Sequence, residues 1–292
     1  MRASFAIEAS SIIKNNSNSV LLLGDIGVHS FKQTLETYPK RSFNIGILEQ
    51  SMISVGAGFA SEGMIPIIHT IAPFMVERAF EQIKIDFGFQ KLPGNLVSVG
   101  ASFDYSKLGC THHCPGDVNI LGNIPGIKIF VPGHSGEFAN HFKNNWNSGF
   151  LNYFRLSENE NDSPIELNYG EIKKLKDGSK GMVLVLGPLL KEVLTGLKDT
   201  NIEIHYANTL SDLSLDSIDS KLPGKKLVIV EPFYSGPLFL KIGEELTRRK
   251  IQVMQIGVPN KFIDKYGSYS EQLKYLNLDS NSLKKRILEF IR

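Results

Sequence analysis

The 292-residue sequence has few of the features that mark secreted or membrane proteins. It contains only two cysteines, Cys110 and Cys114, which make no disulfide framework and suit a reducing compartment. No apolar run approaches the length of a membrane span, and residues 1–9 lack the uninterrupted apolar segment of a signal peptide. We therefore expect a cytoplasmic protein that does not use a membrane.

The sequence also lacks a strong excess of charge of either sign. Its formal net charge is +2. Lys and Arg are dispersed apart from short runs such as Lys173-Lys174 and 284–286, which excludes a basic nucleic-acid footprint. With 42% hydrophobic and 21% charged residues, the chain can bury a sizeable core. These properties predict a globular protein of two domains without a nucleic-acid partner.

Short apolar runs alternate with longer helix-like segments along the chain. The runs are continuously hydrophobic rather than alternating, which is typical of strands in a parallel sheet covered on both faces. The sequence therefore predicts an α/β fold with two domains, each a mostly parallel sheet flanked by helices. The predicted strands are 20–23, 65–69, 96–99, 127–131, 181–186, 202–206, 227–230 and 251–256, and predicted helices cover 50–62 and 74–89.

A polar segment interrupts this alternation near the middle of the chain. Residues 157–164 are rich in Ser, Glu, Asn and Asp, and a lysine-rich stretch follows at 173–180. Such composition indicates the end of one domain and a linker. We expect a first domain at 1–165, a linker at 166–180 and a second domain at 181–292.

Glu49 stands where an apolar strand turns into a helix of small residues. Backbone N–H groups at a helix N-terminus favour the charged form of a carboxylate, whereas apolar neighbours favour the neutral form. Opposed forces of this kind suit a group that exchanges protons, although many N-terminal glutamates are structural. The small residues that follow, from Gly56 to Ala60, allow close packing against another helix, either within the chain or in a dimer.

Two loops carry further candidate groups. Gly24-Asp25 directly follows a buried strand, which places an acidic side chain where α/β proteins bind ligands, or simply forms a turn. The segment 110–117 holds His112 and His113 between two cysteines. Four potential ligands within five consecutive residues cannot all converge on one zinc ion, so we expect hydrogen bonding or proton exchange there, or plain loop histidines.

Taken together, these motifs resemble the transketolase family, specifically its half with the pyrimidine-binding and C-terminal domains. The resemblance extends over nearly the whole chain and is weaker in the second domain. It is carried by Gly24-Asp25, by the segment 46–63 with Glu49, by 70–74 and 78–83, by Thr111-His112 with Asp117, and by 125–132.

The resemblance implies thiamine diphosphate as cofactor and assigns roles to individual residues. Glu49 would share a proton with the aminopyrimidine ring, Phe74 would pack on that ring, and Asp25 would lie with the cofactor. Core packing explains Phe74 equally well. The same resemblance implies four substrate-binding residues, which are His112, His29, Arg2 and Arg155. The two arginines would face a substrate phosphate. The alternative is that each merely forms a surface ion pair.

The family's diphosphate site carries Gly-Asp-Gly with a downstream Asn that holds a divalent metal, and this sequence has no such pair. The resemblance therefore implies a small subunit without a metal site of its own. A larger subunit would supply the diphosphate and Mg²⁺ site, and two copies of each would form an α2β2 heterotetramer.

Four positions depart from the family pattern. Ile71 and Glu77 stand where many relatives place aromatics, Gly100 replaces a histidine and Leu108 an aspartate that contact substrate. These departures favour ketol transfer with an unusual donor or acceptor. Two alternatives remain: the β subunit of a 2-oxo acid dehydrogenase E1 component, which the Thr111-His112 loop disfavours, and a non-catalytic paralogue.

Overall fold

The computed structural model describes residues 1–215 and 222–292, which form two sheets flanked by helices. The strands of the first sheet run parallel in the order β2-β1-β3-β4-β6-β5. This architecture confirms the predicted α/β fold. The strands are β1 (Ser19–Leu23), β2 (Ser42–Asn44), β3 (Ile65–Ile71), β4 (Gly94–Val99), β5 (Lys128–Phe130) and β6 (Leu151–Arg155).

Helices cover both faces of the first sheet. Phenylalanines from the first and last helices of this unit pack on one face, and the helix that begins at Glu49 packs on the other. The helices are α1 (Arg2–Asn15), α2 (Lys32–Thr37), α3 (Glu49–Ser61), α4 (Ala72–Val76), α5 (Phe80–Gln82), a π-helix (Ile83–Phe89), a 3₁₀ turn (Cys110–His112), α6 (Asp117–Leu121) and α7 (Ser135–Asn145).

The second sheet has the strand order β11-β10-β8-β9-β7 and is parallel except for β7, which pairs antiparallel with β9. Its strands are β7 (Lys173–Lys176), β8 (Met182–Leu186), β9 (Glu203–Ala207), β10 (Lys226–Tyr234) and β11 (Gln252–Val258). Its helices are a 3₁₀ turn (Gly187–Leu189), α8 (Leu190–Leu197), a 3₁₀ turn (Pro223–Lys225), α9 (Pro237–Arg248), α10 (Tyr269–Tyr275) and α11 (Ser280–Ile291).

Two predicted segments differ from the structure. The interval 166–180, predicted as a linker, contains β7, whose lysines suit a half-exposed edge strand. The predicted helix 74–89 is broken after α4, because the backbone N–H groups of Glu77 and Arg78 both donate to the Pro73 carbonyl, at 3.0 and 3.1 Å. The domain boundaries themselves stay a prediction.

The two sheets are joined by backbone hydrogen bonds and a shared core. Val131 donates to the Asn208 carbonyl at 2.8 Å, and Tyr234 donates to the Pro115 carbonyl at 2.8 Å. One apolar cluster continues from Met52 and Ile68 under the first sheet to Phe233 in the second. Among the described residues, no helix is long and apolar enough to cross a membrane.

The strand order brings the candidate residues to one edge. β2, β1, β3 and β4 are neighbours, so the loops that follow them lie side by side at their carboxyl ends. These loops carry Asp25, Glu49, Phe74 and His112, in that order along the chain. Parallel α/β sheets bind ligands at this edge, because strand ends and helix starts converge there.

Candidate active site

Glu49 is the first residue of α3, and its side chain is 1% exposed. Its Oε2 accepts a hydrogen bond from Arg78 Nη1 at 2.6 Å, while Thr70 Oγ1 lies 3.5 Å from Oε1. Of its apolar neighbours, Met52 and Ile53 are buried as expected, whereas Ile47 and Leu48 are exposed. The carboxylate thus meets the Thr70 hydroxyl of β3 at one oxygen and the Arg78 cation at the other.

Phe74 and His112 extend this arrangement along the sheet edge. The guanidinium of Arg78 lies 4.3 Å from the centre of the Phe74 ring, and the His112 ring meets Phe74 edge-on at 5.4 Å. Thr111 Oγ1 lies 2.9 Å from His112 Nδ1 and fixes the imidazole. The side chains of Glu49, Arg78, Phe74 and His112 therefore form one continuous series of contacts.

The Glu77 carboxyl, next to Arg78 in the chain, forms a further pair with the Cys114 thiol. Cys114 Sγ donates to Glu77 Oε1 at 3.5 Å, and burial raises the pKa of Glu77. Burial also raises the pKa of the Cys114 thiol well above its usual value, so this thiol stays protonated. Within the described ranges, no group of three or more His, Cys, Asp or Glu side chains could hold a metal ion.

Asp25 lies at the same edge in a left-handed backbone conformation, with φ of 61°. Its Oδ1 accepts from Asn44 Nδ2 at 3.1 Å, and Asn44 Oδ1 accepts from the backbone N–H groups of Asp25 and Gly46 at 3.0 and 3.2 Å. The Asn44 amide thereby ties the loop after β1 to the loop that leads into Glu49. His29 is exposed four residues beyond Asp25.

Arg2 is exposed at the start of α1 and lines a cavity of about 250 Å³ beyond the ends of β4 and β6. Burial raises the pKa of Tyr105, and the positive charge of Arg2 partly opposes this shift. The Tyr105 ring in turn meets His112 edge-on at 6.1 Å. Arg2 thus acts electrostatically on Tyr105, whose ring contacts His112.

Arg155 is placed differently from the other candidates, because it is 2% exposed. Its Nε donates to Asp117 Oδ2 at 2.7 Å, and its Nη2 donates to Ser102 Oγ at 2.6 Å. Nη2 also lies 3.4 Å from the Pro232 carbonyl of the second sheet. The guanidinium therefore joins the two halves of the chain, and its phosphate contact stays a prediction.

The departures from the family pattern have physical consequences at two positions. Gly100 has φ of 76°, and a Cβ there would lie 2.3 Å from the Tyr105 ring. A histidine side chain therefore has no room at this position while Tyr105 packs on the backbone. Leu108 is 52% exposed and presents an apolar side chain to the solvent.

Arg78, Asn44 and Tyr105 were missed as site residues by the sequence reasoning. The spacing of Phe74 and Arg78, four residues apart in a predicted helix, could have indicated a contact between ring and cation. Asn44, at the end of a three-residue strand, and Tyr105, in an irregular loop, left no comparable signal.

The chain is similar in sequence and fold to known proteins. Residues 1–162, more than half of the chain, match the family model of the transketolase, pyrimidine binding domain. A 33.6 kDa protein of the fasciation locus of Rhodococcoides fascians is 32% identical over 100% of this chain and 95% of its own length. One subunit of the apulose-4-phosphate transketolase of Actinobacillus succinogenes is 27% identical over 69% of this chain and 67% of its own.

Longer proteins match over part of their length. The chain spans 43% of the 1-deoxy-D-xylulose-5-phosphate synthase of Shewanella sediminis, with 25% identity over 88% of the chain. Among solved structures, a split-gene transketolase described as an inactive β4 tetramer has a TM-score of 0.84 and 21% identity, covering 99% of this chain and 97% of that one. The fold and the family match together confirm the resemblance: the chain belongs to the family of transketolase pyrimidine-binding domains.

Proposed function

We propose that the chain is the small subunit of a thiamine diphosphate-dependent enzyme that transfers a two-carbon ketol unit between sugars or sugar derivatives. The observation that carries this proposal is the buried Glu49 carboxylate at the start of α3, in contact through Arg78 with the face of Phe74. A buried acceptor beside an aromatic face, in a member of this family, suits an aminopyrimidine ring.

The residues present fit that ring. The guanidinium of Arg78 is flat, bears N–H donors, bonds Glu49 at 2.6 Å and lies over Phe74 at 4.3 Å. An aminopyrimidine is also flat with an N–H edge, so the placement of Arg78 supports the proposal that Glu49 and Phe74 would hold such a group. When bound, thiamine diphosphate supplies the electron sink for breaking a carbon–carbon bond next to a carbonyl.

The residues of this chain would bind, orient and exchange protons. Glu49 would hold a proton that it shares with a ring nitrogen of the aminopyrimidine, and the low exposure of its carboxylate keeps water from that proton. Thr111 holds Nδ1 of His112 at 2.9 Å, so Nε2 is the ring nitrogen available to a substrate oxygen. Asp25, His29 and Arg2 lie at the same sheet edge and complete the proposed binding surface.

A larger partner subunit would supply the diphosphate and Mg²⁺ site. Two features of this chain support the proposal: the described residues offer no group of acidic, His or Cys side chains for a metal, and apolar surface borders Glu49. Ile47 and Leu48 are 66% and 56% exposed there. A partner that covers them would also close the cofactor site, and an α2β2 assembly would contain two such sites.

The test is a donor screen with the chain in complex with a co-expressed large subunit. The donors are sugars, sugar phosphates and 2-oxo acids, and the Glu49→Gln variant should lose about 10²–10⁴-fold in rate, the usual contribution of a positioned proton-transfer group. Glu62→Gln, at the exposed far end of the same helix, is the matched control and should keep full activity.

Each outcome of the screen separates one function from another. Transfer from ketose donors that depends on Glu49 supports the proposal. Turnover of a 2-oxo acid alone would favour the dehydrogenase E1 alternative. Full turnover by the Glu49→Gln complex would contradict the proton-sharing role, and a complex with no turnover of any donor would favour a non-catalytic paralogue.

A further inference from the structure

Arg78 makes two contacts at once, and both are with the residues that would hold the cofactor. Its Nη1 bonds Glu49 Oε2 at 2.6 Å, and its guanidinium lies 4.3 Å from the centre of the Phe74 ring. Glu49 is buried, whereas the Arg78 side chain is 38% exposed. The solvent-exposed part of this ion pair is therefore the Arg78 side chain.

These two contacts are the ones that the proposed function assigns to the aminopyrimidine ring. Two flat groups cannot both take the same place on Glu49 Oε2 and lie on the same face of Phe74. The other oxygen, Oε1, is directed to Thr70 in the interior, at 3.5 Å, and Thr70 is fully buried. A ring that enters from the open side must therefore displace the guanidinium.

We propose that Arg78 is a placeholder in the cofactor site. Its side chain holds the Glu49 carboxylate and the Phe74 face in position, and it swings out to solvent when the aminopyrimidine binds. This inference rests on the proposed function and deepens it, because cofactor binding becomes the exchange of the Arg78 guanidinium for the aminopyrimidine ring.

The chemistry of arginine suits this role. The guanidinium is planar, remains charged and stacks on aromatic faces, while its long stem allows the head group to leave without moving the backbone. Arg78 also lies in the break between α4 and α5, where its backbone N–H is bonded to the Pro73 carbonyl at 3.1 Å. The backbone is thus fixed while the half-exposed side chain remains free to exchange.

The test is the affinity and association rate of thiamine diphosphate with the complex of this chain and its large subunit, by calorimetry and stopped-flow fluorescence. Arg78→Met removes the charge and the planar group, and should bind the cofactor about tenfold more tightly and associate faster, since a half-exposed ion pair no longer competes. Arg78→Lys keeps a charge near Glu49 without the planar face, and should fall between Arg78→Met and the wild type.

A matched control removes another arginine–glutamate pair. Arg248 pairs with Glu245 on α9 and is 76% exposed, so Arg248→Met should leave cofactor affinity unchanged. Thermal melting of each variant shows whether it is folded, and Arg78→Lys serves as the test if Arg78→Met does not fold.

The outcomes distinguish this inference from the proposed function. Tighter and faster binding by the Arg78 variants supports the placeholder. Equal or weaker binding by these variants, with normal binding by the wild type, overturns the placeholder and leaves the proposed function intact. An absence of cofactor binding by the wild-type complex overturns the proposed function, and the placeholder with it.

Discussion

Replacing Asp117 with Asn should remove the countercharge of a guanidinium that the fold has buried. The Asp117 and Arg155 side chains are 0% and 1% exposed, and Asp117 Oδ2 accepts from both Arg155 Nε at 2.7 Å and Tyr153 OH at 2.8 Å. The Asn side chain keeps an acceptor for Tyr153 but no charge. Arg155 is then left as an unpaired cation between the two sheets.

The expected loss of stability follows from the burial of this ion pair. Breaking a buried pair by removing one partner costs about 3–5 kcal/mol in free energy of unfolding, which is a large share of the about 5–15 kcal/mol of a typical domain. The double variant Asp117→Leu, Arg155→Met replaces both charges by apolar groups and should lose less than Asp117→Asn alone. Urea unfolding monitored by circular dichroism measures each value.

A small effect would refute this reasoning. Arg248→Met, which removes an exposed pair with Glu245, should leave the free energy of unfolding nearly unchanged. If Asp117→Asn cost no more than this control, the pair would not be desolvated as the structure places it. A double variant less stable than Asp117→Asn would also contradict the desolvation argument.

Two further predictions concern the packing of the first domain. Burial lowers the pKa of His69 from 6.5 to about 4. The unfolded chain therefore takes up this proton at higher pH, so stability should fall by about 3 kcal/mol as the pH drops from 6.5 to 4. Urea unfolding across that range should show a flatter profile for His69→Gln. Gly56→Ala should destabilise by about 1–2 kcal/mol, because its Cβ would lie 2.5 Å from Ile68 Cδ1. Gly58→Ala, with nothing within 4 Å, should stabilise by about 0.5–1 kcal/mol, and thermal melting compares the two.

The strands that were predicted from the sequence each contain a run of apolar residues, and most of these residues are buried. Every residue of β1, β3, β4 and β8 is buried, and β1 and β8 carry uninterrupted apolar runs. β2 was missed because two of its three residues, Ser42 and Asn44, are polar, and β7 because Lys173 and Lys174 are exposed at a sheet edge. β6 was missed because it contains Asn152 and Arg155, whose polar groups are satisfied inside the protein.

The small residues of α3 also illustrate what pattern alone cannot decide. Close packing was predicted for them, and Gly56 does pack closely, against Ile68 of its own sheet. Gly58 instead faces open space on the exposed side of the helix. Helical spacing places these two glycines on different faces, but which face meets the sheet depends on tertiary packing.

The resemblance singled out Glu49, Phe74 and His112, which the structure brings together at one sheet edge, and their roles stay predictions. The side chains that contact these three residues could not be predicted from the sequence. Arg78 contacts Glu49 although the two are 29 residues apart in sequence. Arg78 also lies at the point where the predicted helix 74–89 is broken. The resemblance implied that Arg155 faces a phosphate, with a surface ion pair as the alternative, and only the structure reveals its buried partner Asp117.

Calorimetric titration of thiamine diphosphate with Mg²⁺ into this chain alone, and then into its complex with a co-expressed large subunit, tests most directly whether two subunits build one cofactor site. We predict tight binding by the complex, none by the isolated chain, and at least about tenfold weaker binding by the Glu49→Gln complex, which loses a charge-assisted hydrogen bond. Tight binding by the isolated chain would contradict the division of the site between subunits. No binding by the complex would contradict the cofactor assignment itself.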